Sequence, residues 1–455
     1  MDARELDTKR FGALRSVPFI KGLERPSPVV RNALALTVST AATFLIGLGF
    51  WVVAARVFST SAVGRGSAEL AAMTFIAHFA QLNLGNAYLR FLPRAGERTR
   101  SAILLGYGAC TVLGVLGLIV FFASSLYRGV VPDGFGAAAL FSGAVLLWTI
   151  FVVQDGVLTS LREAIWVPVE NVAFGVLKLA LLPICVLLFP GQGVFVAWTV
   201  PVVVAVAAVN AFLFLRVVPT RMARARASGQ RSELPQKRAL ASFVTTQYVT
   251  SFVTAVSTFL LPVIIIKRLG PVANAHFYIP WLIGVAFYNL FLNVSASFIV
   301  EVAHDEDPFR HLFWRSTRLM VGIMVLGVLA TLLGGSFFLG LLSPEYAREG
   351  VSLLRWIGLS FPFVVITTLF SSSLWIRRRL WALVGYNSVQ TAILIGLTYV
   401  LLDPLGIDAP GVAHLVEAGL TAVASLPFLV RWYRHQVTEP EQLEPPLFAA
   451  TPMPI

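Results

Sequence analysis

Twelve apolar stretches divide the chain, and each is long enough to cross a bilayer as a helix. A bilayer core of about 30 Å needs about 20 helical residues. The predicted spans, numbered 1 to 12, are 33–54, 66–92, 101–126, 134–154, 164–189, 193–217, 240–266, 273–302, 314–341, 350–375, 380–402 and 410–432. The pattern therefore predicts an all-α polytopic membrane protein.

Lysine and arginine residues are sorted to one side of this predicted bundle. If span 1 runs outward from the cytoplasm, the cytoplasmic segments and the helix ends beside them hold 27 of the 35 Lys and Arg residues. The outward segments and the helix ends beside them hold seven, and Lys178 alone lies near the middle of a span. Because basic residues stay in the cytoplasm during insertion, this bias predicts a multi-pass protein of the plasma membrane with both termini cytoplasmic.

The longest connector divides the spans into two sets of six. It covers 218–239, is basic, and contains Pro219, Gly229 and Pro235. The predicted organisation is a basic cytoplasmic segment (1–32), an N-lobe (33–217), a cytoplasmic linker (218–239), a C-lobe (240–432) and a cytoplasmic tail (433–455). Since six is even, both lobes have the same orientation, as in a parallel repeat. "AARVFSTSAVG" (54–64) and "IIKRLGPVANA" (265–275) are faintly similar. We expect two pseudo-symmetric lobes around a central cavity.

Composition and charge narrow the class of partner. The chain is 57% hydrophobic and 13% charged, and its mean hydropathy is +0.79. The net charge of +12 comes from short connectors beside apolar spans, which favours anionic lipids and anionic lipid-linked substrates over nucleic acid. Cys110 and Cys185 both fall inside apolar spans and are interpreted as packing residues.

Span 2 is the most polar of the twelve. Its candidates for cavity binding are Glu69, His78, Gln81, Asn86 and Arg90. A helix with so many polar groups does not face lipid on all sides, so it should line an aqueous cavity or the seam between lobes. Hydrogen bonding between helices is the alternative interpretation.

Lys178, near the middle of span 5, is the best single candidate for an anion-binding cation. A charge at the bilayer centre costs at least about 2.5–3.5 kcal/mol, so it normally faces a cavity or a partner. The alternative is a structural ion pair with Asp155, Glu163 or Glu170 near the cytoplasmic edge.

Further candidates are polar or cationic side chains within or at the ends of spans. Arg56 and Arg268 end the first spans of the two lobes and could attract a phosphate or act as interfacial anchors. Other cavity candidates are Gln247, Asn289, Asn293 and Asn387. His414 and Glu417 are three residues apart in span 12, which suits a proton relay or a neutral hydrogen-bonded strut.

Motifs for catalysis are missing from the sequence. There is no GxxxxGK[ST] phosphate-binding loop, no HExxH motif and no Cys/His cluster. We therefore expect no enzymatic activity, cofactor or bound metal. An enzyme, namely a membrane-embedded glycan-modifying transferase, ranks third among the functions considered, after the two transport functions given below.

The start of the chain resembles the polysaccharide exporters of the multidrug/oligosaccharidyl-lipid/polysaccharide (MOP) exporter superfamily. The resemblance covers about residues 31–100, including "NALALTVSTAATFLIGLGFWVVAARVFSTSAVGRGSAELAA" and "LNLGNAYLRFLPRAG". It is carried by Ala55-Arg56, Val63-Gly64, Leu84-Gly85 and the run from Arg90 to Pro93. Over the remaining chain it extends only to the topology of two six-helix lobes.

The resemblance implies a MATE-like fold and a flippase that moves an undecaprenyl-pyrophosphate-linked oligosaccharide across a bacterial plasma membrane. It implies alternating access, with coupling to an H⁺ or Na⁺ gradient. The expected partners are the lipid-linked oligosaccharide, membrane lipids, and the polysaccharide polymerase and glycosyltransferases of the same pathway. The alternative is a cation-coupled drug or small-molecule antiporter of the same superfamily.

Overall fold

The computed structural model describes residues 45–229, 237–304 and 308–438, which are almost entirely helical. In chain order the helices are α1 (Leu45–Val57), α2 (Thr60–Ala80), α3 (Leu84–Phe91), α4 (Thr99–Ala123), α5 (Phe135–Ser160), α6 (Trp166–Leu188), α7 (Gly193–Phe212), α8 (Val218–Ala227), α9 (Lys237–His304), α10 (Phe309–Leu332), α11 (Gly335–Gly340), α12 (Pro344–Ile376), α13 (Leu380–Leu405) and α14 (Ala409–Thr438). Apart from an isolated bridge between Arg128 and Val131, these residues contain no β-structure. The predicted all-α class is confirmed.

Most predicted spans coincide with helices of membrane-crossing length. Eight helical stretches of the described residues are long and apolar enough to cross a membrane, and α1 is a shorter apolar helix. The longest stretch, Leu380–Thr438, holds spans 11 and 12, and the next longest, Ala255–Val302, holds span 8 and the last part of span 7. Residues 33–44 of predicted span 1 and the segment 1–32 lie outside the described residues.

Span 2 is two helices, although the sequence pattern predicted one. Leu82 and Asn83 have positive φ angles of 49° and 52°, which ends α2 before α3 begins. Asn tolerates the left-handed conformation better than most residues. The first helix also begins earlier than predicted, because the Ser59 side chain accepts a hydrogen bond from the Ala62 N–H and caps it.

Spans 7 and 8 form one long element, α9, that is broken at Gly270. Its φ of 85° and ψ of 176° are not helical. Glycine adopts this conformation without steric cost, and Pro271 begins the second half of α9.

Helices extend into both segments that the sequence predicted as the cytoplasmic linker and tail. Span 6 continues through a π-helical turn, Leu213–Val217, into α8, which ends at Ala227. Pro219 does not interrupt α8, since proline is tolerated in the first helical turn. Likewise α14 extends to Thr438. Residues 230–236 and 439–455 lie outside the described residues.

The two halves of the molecule, residues 45–229 (N-half) and 237–438 (C-half), meet along α2 and α9. Along the first half of α9, Phe252 packs on Phe75 and Phe79, with ring centroids 5.9 and 6.1 Å apart. At the second half, a Cβ on Gly64 would lie 1.7 Å from the carbonyl oxygen of Pro271. Only glycine permits this approach. This close contact lies between segments 54–64 and 265–275, whose sequences are faintly similar.

Polar contacts between the halves cluster at the end predicted to face outward. Asn274 is fully buried and donates through Nδ2 to the Gly64 carbonyl (2.7 Å) and to Ser67 Oγ (3.0 Å). Three further hydrogen bonds join the halves in the same region. Arg56 Nε donates to the Leu341 carbonyl (2.8 Å), Thr60 Oγ1 donates to Glu345 Oε2 (3.1 Å), and Lys267 Nζ donates to Ser125 Oγ (2.7 Å). These contacts close the two halves against each other at that end.

The outside of the bundle is apolar. Leu105, Leu187 and Val423 are each at least 70% exposed, and many other large apolar side chains are exposed to a smaller extent. A surface of this kind is stable in lipid rather than in water. The helices and their exterior thus support a multi-pass membrane protein.

Candidate functional site

A cavity of about 260 Å³ lies inside the C-half. It is lined by α9, α12, α13 and α14, so it belongs to one half of the molecule and not to the seam between the halves. Its hydrogen-bonding lining residues are Ser257, Thr258, Tyr288, Ser295, Thr367, Thr368, Ser371, Asn387, Gln390, Thr391, His414 and Glu417. We call it the C-half cavity.

Neutral hydroxyl and amide groups make up most of the polar part of this lining, beside apolar side chains such as Phe361 and Leu394. Ser295 and Ser372 share a 2.6 Å hydrogen bond, and Gln390 Nε2 donates to Thr421 Oγ1 at 3.4 Å. Trp281 and Trp375 add aromatic faces. Such a cavity offers hydrogen bonds and flat apolar surfaces to a neutral polar ligand.

Glu417 supplies the acidic charge of the cavity. It is 4% exposed, and its Oε2 lies 3.2 Å from His414 Nδ1. Thr421 Oγ1 lies 3.2 Å from the other carboxylate oxygen. No Lys or Arg is among the described residues that line the cavity. The predicted His414–Glu417 pair is thus in hydrogen-bond contact, as both a relay and a strut require.

Lys178 is enclosed by aromatic rings in the N-half and does not line the C-half cavity. It is 5% exposed, and its Nζ lies 3.5 Å from the centroid of Trp198, 4.7 Å from Phe174 and 5.3 Å from Phe50. Cation–π attraction offsets part of the cost of burying the ammonium group. This environment is neither the anion-binding position nor the carboxylate pair that the sequence suggested.

The two outer arginines are engaged in polar contacts. Arg56 donates to the Leu341 carbonyl across the two halves. Arg268 donates to both carboxylate oxygens of Asp403, at 2.8 and 2.9 Å. In this conformation neither guanidinium faces the C-half cavity.

The predicted residues of span 2 do not converge on one site. Glu69 is 1% exposed, interacts with Arg65 and Gln192, and leaves Oε2 without a hydrogen-bond partner. His78 Nδ1 contacts the Thr74 carbonyl, and its ring lies 5.1 Å from Phe259 at the seam between halves. This contact agrees with a helix at the seam.

The remaining candidates at the end of this region are surface groups or helix caps. Gln81 follows the last residue of α2 as its C-cap, and Asn86 of α3 donates to Asn83, which immediately precedes that helix. Arg90 is exposed, with its guanidinium carbon 5.4 Å from the Phe91 ring.

In the C-half the structure brings only some predicted residues together. Asn387, His414 and Glu417 line the cavity, whereas Asn289 and Asn293 are exposed. The Gln247 side chain lies outside the described residues.

Sequence reasoning missed the contribution of α12. Its residues Thr367, Thr368 and Ser371 line the cavity together with Trp375. The signal was present as a run of hydroxyl residues, "TTLFSSSLW", within an otherwise apolar span.

Comparison with solved structures identifies the fold. A MATE family transporter of the MOP superfamily in its inward-facing conformation aligns with a TM-score of 0.65 and 16% identity, covering 87% of this chain and 96% of the other. A MOP superfamily transporter from Pyrococcus furiosus, described as having a binding pocket of reversed polarity, aligns with a TM-score of 0.58 and 15% identity, covering 90% and 95%. No protein-family model and no curated protein sequence matches the chain. The chain therefore has the MATE-like fold of MOP superfamily transporters.

The inward-facing and outward-facing solved structures differ in how well they align with this chain. An outward-facing MATE family transporter aligns with a TM-score of 0.57 and 15% identity, covering 89% of this chain and 95% of the other, against 0.65 for the inward-facing structure. The better fit to the inward-facing form agrees with the polar contacts that close the predicted outer end. These neighbours are named as transporters, and at 15–16% identity the likeness to them shows the fold.

Proposed function

We propose that the protein is a flippase that moves a lipid-linked oligosaccharide across a bacterial plasma membrane by alternating access. The observation that carries the proposal is the C-half cavity, because its neutral hydroxyl and amide groups and its aromatic faces suit sugar rings. The resemblance of residues 31–100 to polysaccharide exporters supports the same substrate class. Undecaprenyl pyrophosphate is the proposed lipid carrier.

The proposed cycle uses the contacts at the outer end as a gate. In the conformation described above, Asn274, Arg56 and Lys267 hold that end closed. Opening it releases two cations, Arg56 and Lys267, which are then available to a phosphate group as the substrate leaves. The membrane lipids, the polymerase and the glycosyltransferases of the pathway are the proposed partners.

A second candidate function has an observation in its favour. Glu417 places a carboxylate in a cavity whose described lining has no Lys or Arg, which suits a cationic drug better than a pyrophosphate. A cation-coupled antiporter of the same superfamily therefore remains the alternative. The two differ in the charge of the substrate.

The test is a flipping assay with the purified full chain in proteoliposomes that contain a fluorescent undecaprenyl-pyrophosphate-linked oligosaccharide. Quenching of the probe from outside reports translocation. Asn387→Ala, which alters the cavity, should slow flipping, while Asn293→Ala, on the exposed face of α9, should leave it unchanged. Absence of flipping together with uptake of an organic cation that Glu417→Gln abolishes would favour the antiporter.

A further inference from the structure

An apolar pocket of about 240 Å³ lies at the seam between the two halves, apart from the C-half cavity. Helices α2 and α4 line it from the N-half, and the first half of α9 lines it from the C-half. We call it the seam pocket. Ser124 has the one polar side chain among the described residues that line it. Its lining therefore suits a hydrocarbon and offers almost nothing to a polar ligand.

The seam pocket opens toward the lipid-facing surface of the bundle. Leu116 and Val120 of α4 line it and are exposed. The hydrocarbon core of a bilayer contains no water, and an unfilled apolar space loses packing contacts. An apolar cavity of about 150 Å³ is large enough to hold benzene, so the seam pocket has room for a segment of a lipid chain. We therefore expect a hydrocarbon chain of the bilayer to fill it.

A cation lies beside the outer end of the seam pocket. Lys267 Nζ donates to Ser125 Oγ at 2.7 Å, and the neighbours of Ser125 in the chain, Ser124 and Leu126, both line the pocket. An ammonium group has three N–H donors, and this bond uses one of them. Arg128 is exposed and follows Ser125 by three residues. This end of the pocket thus attracts an anionic group.

The positions of the cation and the pocket along α9 match the two parts of a lipid. Val263 and Leu260 line the pocket and precede Lys267 by four and seven residues, which is about 6 and 10 Å along the helix. A lipid whose phosphate contacts Lys267 at the predicted outer interface therefore has its chains beside the pocket. A free phosphate would leave the pocket unfilled, and an uncharged hydrocarbon would make no use of the cation.

We propose that the seam pocket binds one chain of an anionic phospholipid from the outer leaflet, with the phosphate of that lipid against Lys267. The apolar lining holds the chain. The cation favours a headgroup with a net negative charge over a zwitterionic one. Because the seam pocket is separate from the C-half cavity, this lipid is a bound partner of the protein and not its transported substrate.

The bound lipid has an expected effect on the conformation of the protein. The seam pocket is built from both halves, so separation of α4 from α9 at the outer end dismantles it. A ligand that binds one conformation better than another shifts the equilibrium toward the first. We therefore expect an anionic phospholipid to favour the outer-closed conformation. This effect rests on the alternating access proposed above, whereas binding of the lipid does not.

The experiment uses a phosphatidylglycerol that carries a photoactivatable group in its acyl chain. The purified full chain is reconstituted in phosphatidylcholine vesicles with a trace of this probe and illuminated, and mass spectrometry locates the labelled residues. Wild type should be labelled within 116–126 and 252–263. Excess unlabelled phosphatidylglycerol should remove this label, and a phosphatidylcholine carrying the same photoactivatable group should label these residues about fivefold less.

Two pairs of variants test the two parts of the site. Leu116→Trp fills the pocket and should remove the label, while the matched control Leu105→Trp changes an exposed residue of the same helix outside the pocket. Lys267→Met should weaken competition by phosphatidylglycerol about fivefold. Arg268→Met is its matched control, because Arg268 contacts Asp403. Gel filtration shows whether each variant is folded.

Val120→Trp makes the same test of the pocket if Leu116→Trp does not fold. Equal labelling by the two lipid probes, or an unchanged label in the folded tryptophan variants, would overturn the proposal. Competition by undecaprenyl pyrophosphate in preference to phosphatidylglycerol would also overturn it, because the pocket would then hold the proposed carrier of the substrate. Since no oligosaccharide is present, failure here is separate from failure of the flippase proposal.

Discussion

Asn274 offers the sharpest test of how the two halves close. It is fully buried and donates one hydrogen bond to the Gly64 carbonyl and one to Ser67 Oγ. Asn274→Ala removes both. The Gly64 carbonyl keeps the Ser67 hydroxyl as a donor at 3.0 Å, whereas the buried Ser67 Oγ loses the donor from which it accepts.

The expected magnitude follows from the two lost hydrogen bonds. Each contributes about 1 kcal/mol net, so the outer-closed conformation should lose about 2 kcal/mol relative to the outer-open one. That difference changes the equilibrium about 30-fold. If about one molecule in a hundred is open in wild type, the closed fraction should fall to about three quarters.

The assay measures the distance between spin labels on the two halves by pulsed electron paramagnetic resonance. Asp133 and Glu349 are exposed near the predicted outer end and suit the labels, while Cys110 and Cys185 are buried. Asn274→Ala should produce a second, longer distance. The matched control is Asn289→Ala, which changes an exposed side chain in the same half of α9. A variant distribution identical to wild type would refute the role of Asn274 in closure.

Three other substitutions have defined outcomes. Gly64→Ala should open the outer end in the same distance measurement, because its Cβ would lie 1.7 Å from the Pro271 carbonyl oxygen, whereas Gly108→Ala meets no atom within 4 Å and should not. Lys178→Met should leave flipping intact, since the ammonium group is enclosed by aromatic rings, and a loss of flipping would restore an anion-binding role. Glu417→Gln should retain oligosaccharide flipping in proteoliposomes, and its complete loss would show that the charge itself is required.

Much of the fold is readable from the sequence because a bilayer imposes simple lengths. Apolar runs of about 20 residues predict helices well, and most predicted spans coincide with described helices. The break within span 2 was not predictable, because Leu82 and Asn83 carry no glycine or proline signal for a left-handed turn. The extension of span 6 into α8 was missed because Pro219 suggested that the helix ends there. Pro219 instead lies in the first turn of α8, where proline is tolerated.

The sites were harder to predict because they depend on which helix faces meet. His414 and Glu417 were found by their spacing of three residues within one helix. Glu170 and Asn210 come from different helices, and only the fold shows that both contact Gln154. Lys178 was recognised as unusual, but the rings that surround it belong to three helices, so their convergence was not visible in the sequence.

The most direct test of the proposed function is deletion of the gene, followed by extraction of the lipid-linked glycans. The proposal predicts that a complete repeat unit accumulates on its undecaprenyl pyrophosphate carrier at the cytoplasmic face. Re-expression of the protein should clear this pool. Accumulation of a truncated or unmodified unit would contradict the proposal, because the protein would then build or modify the glycan rather than move it.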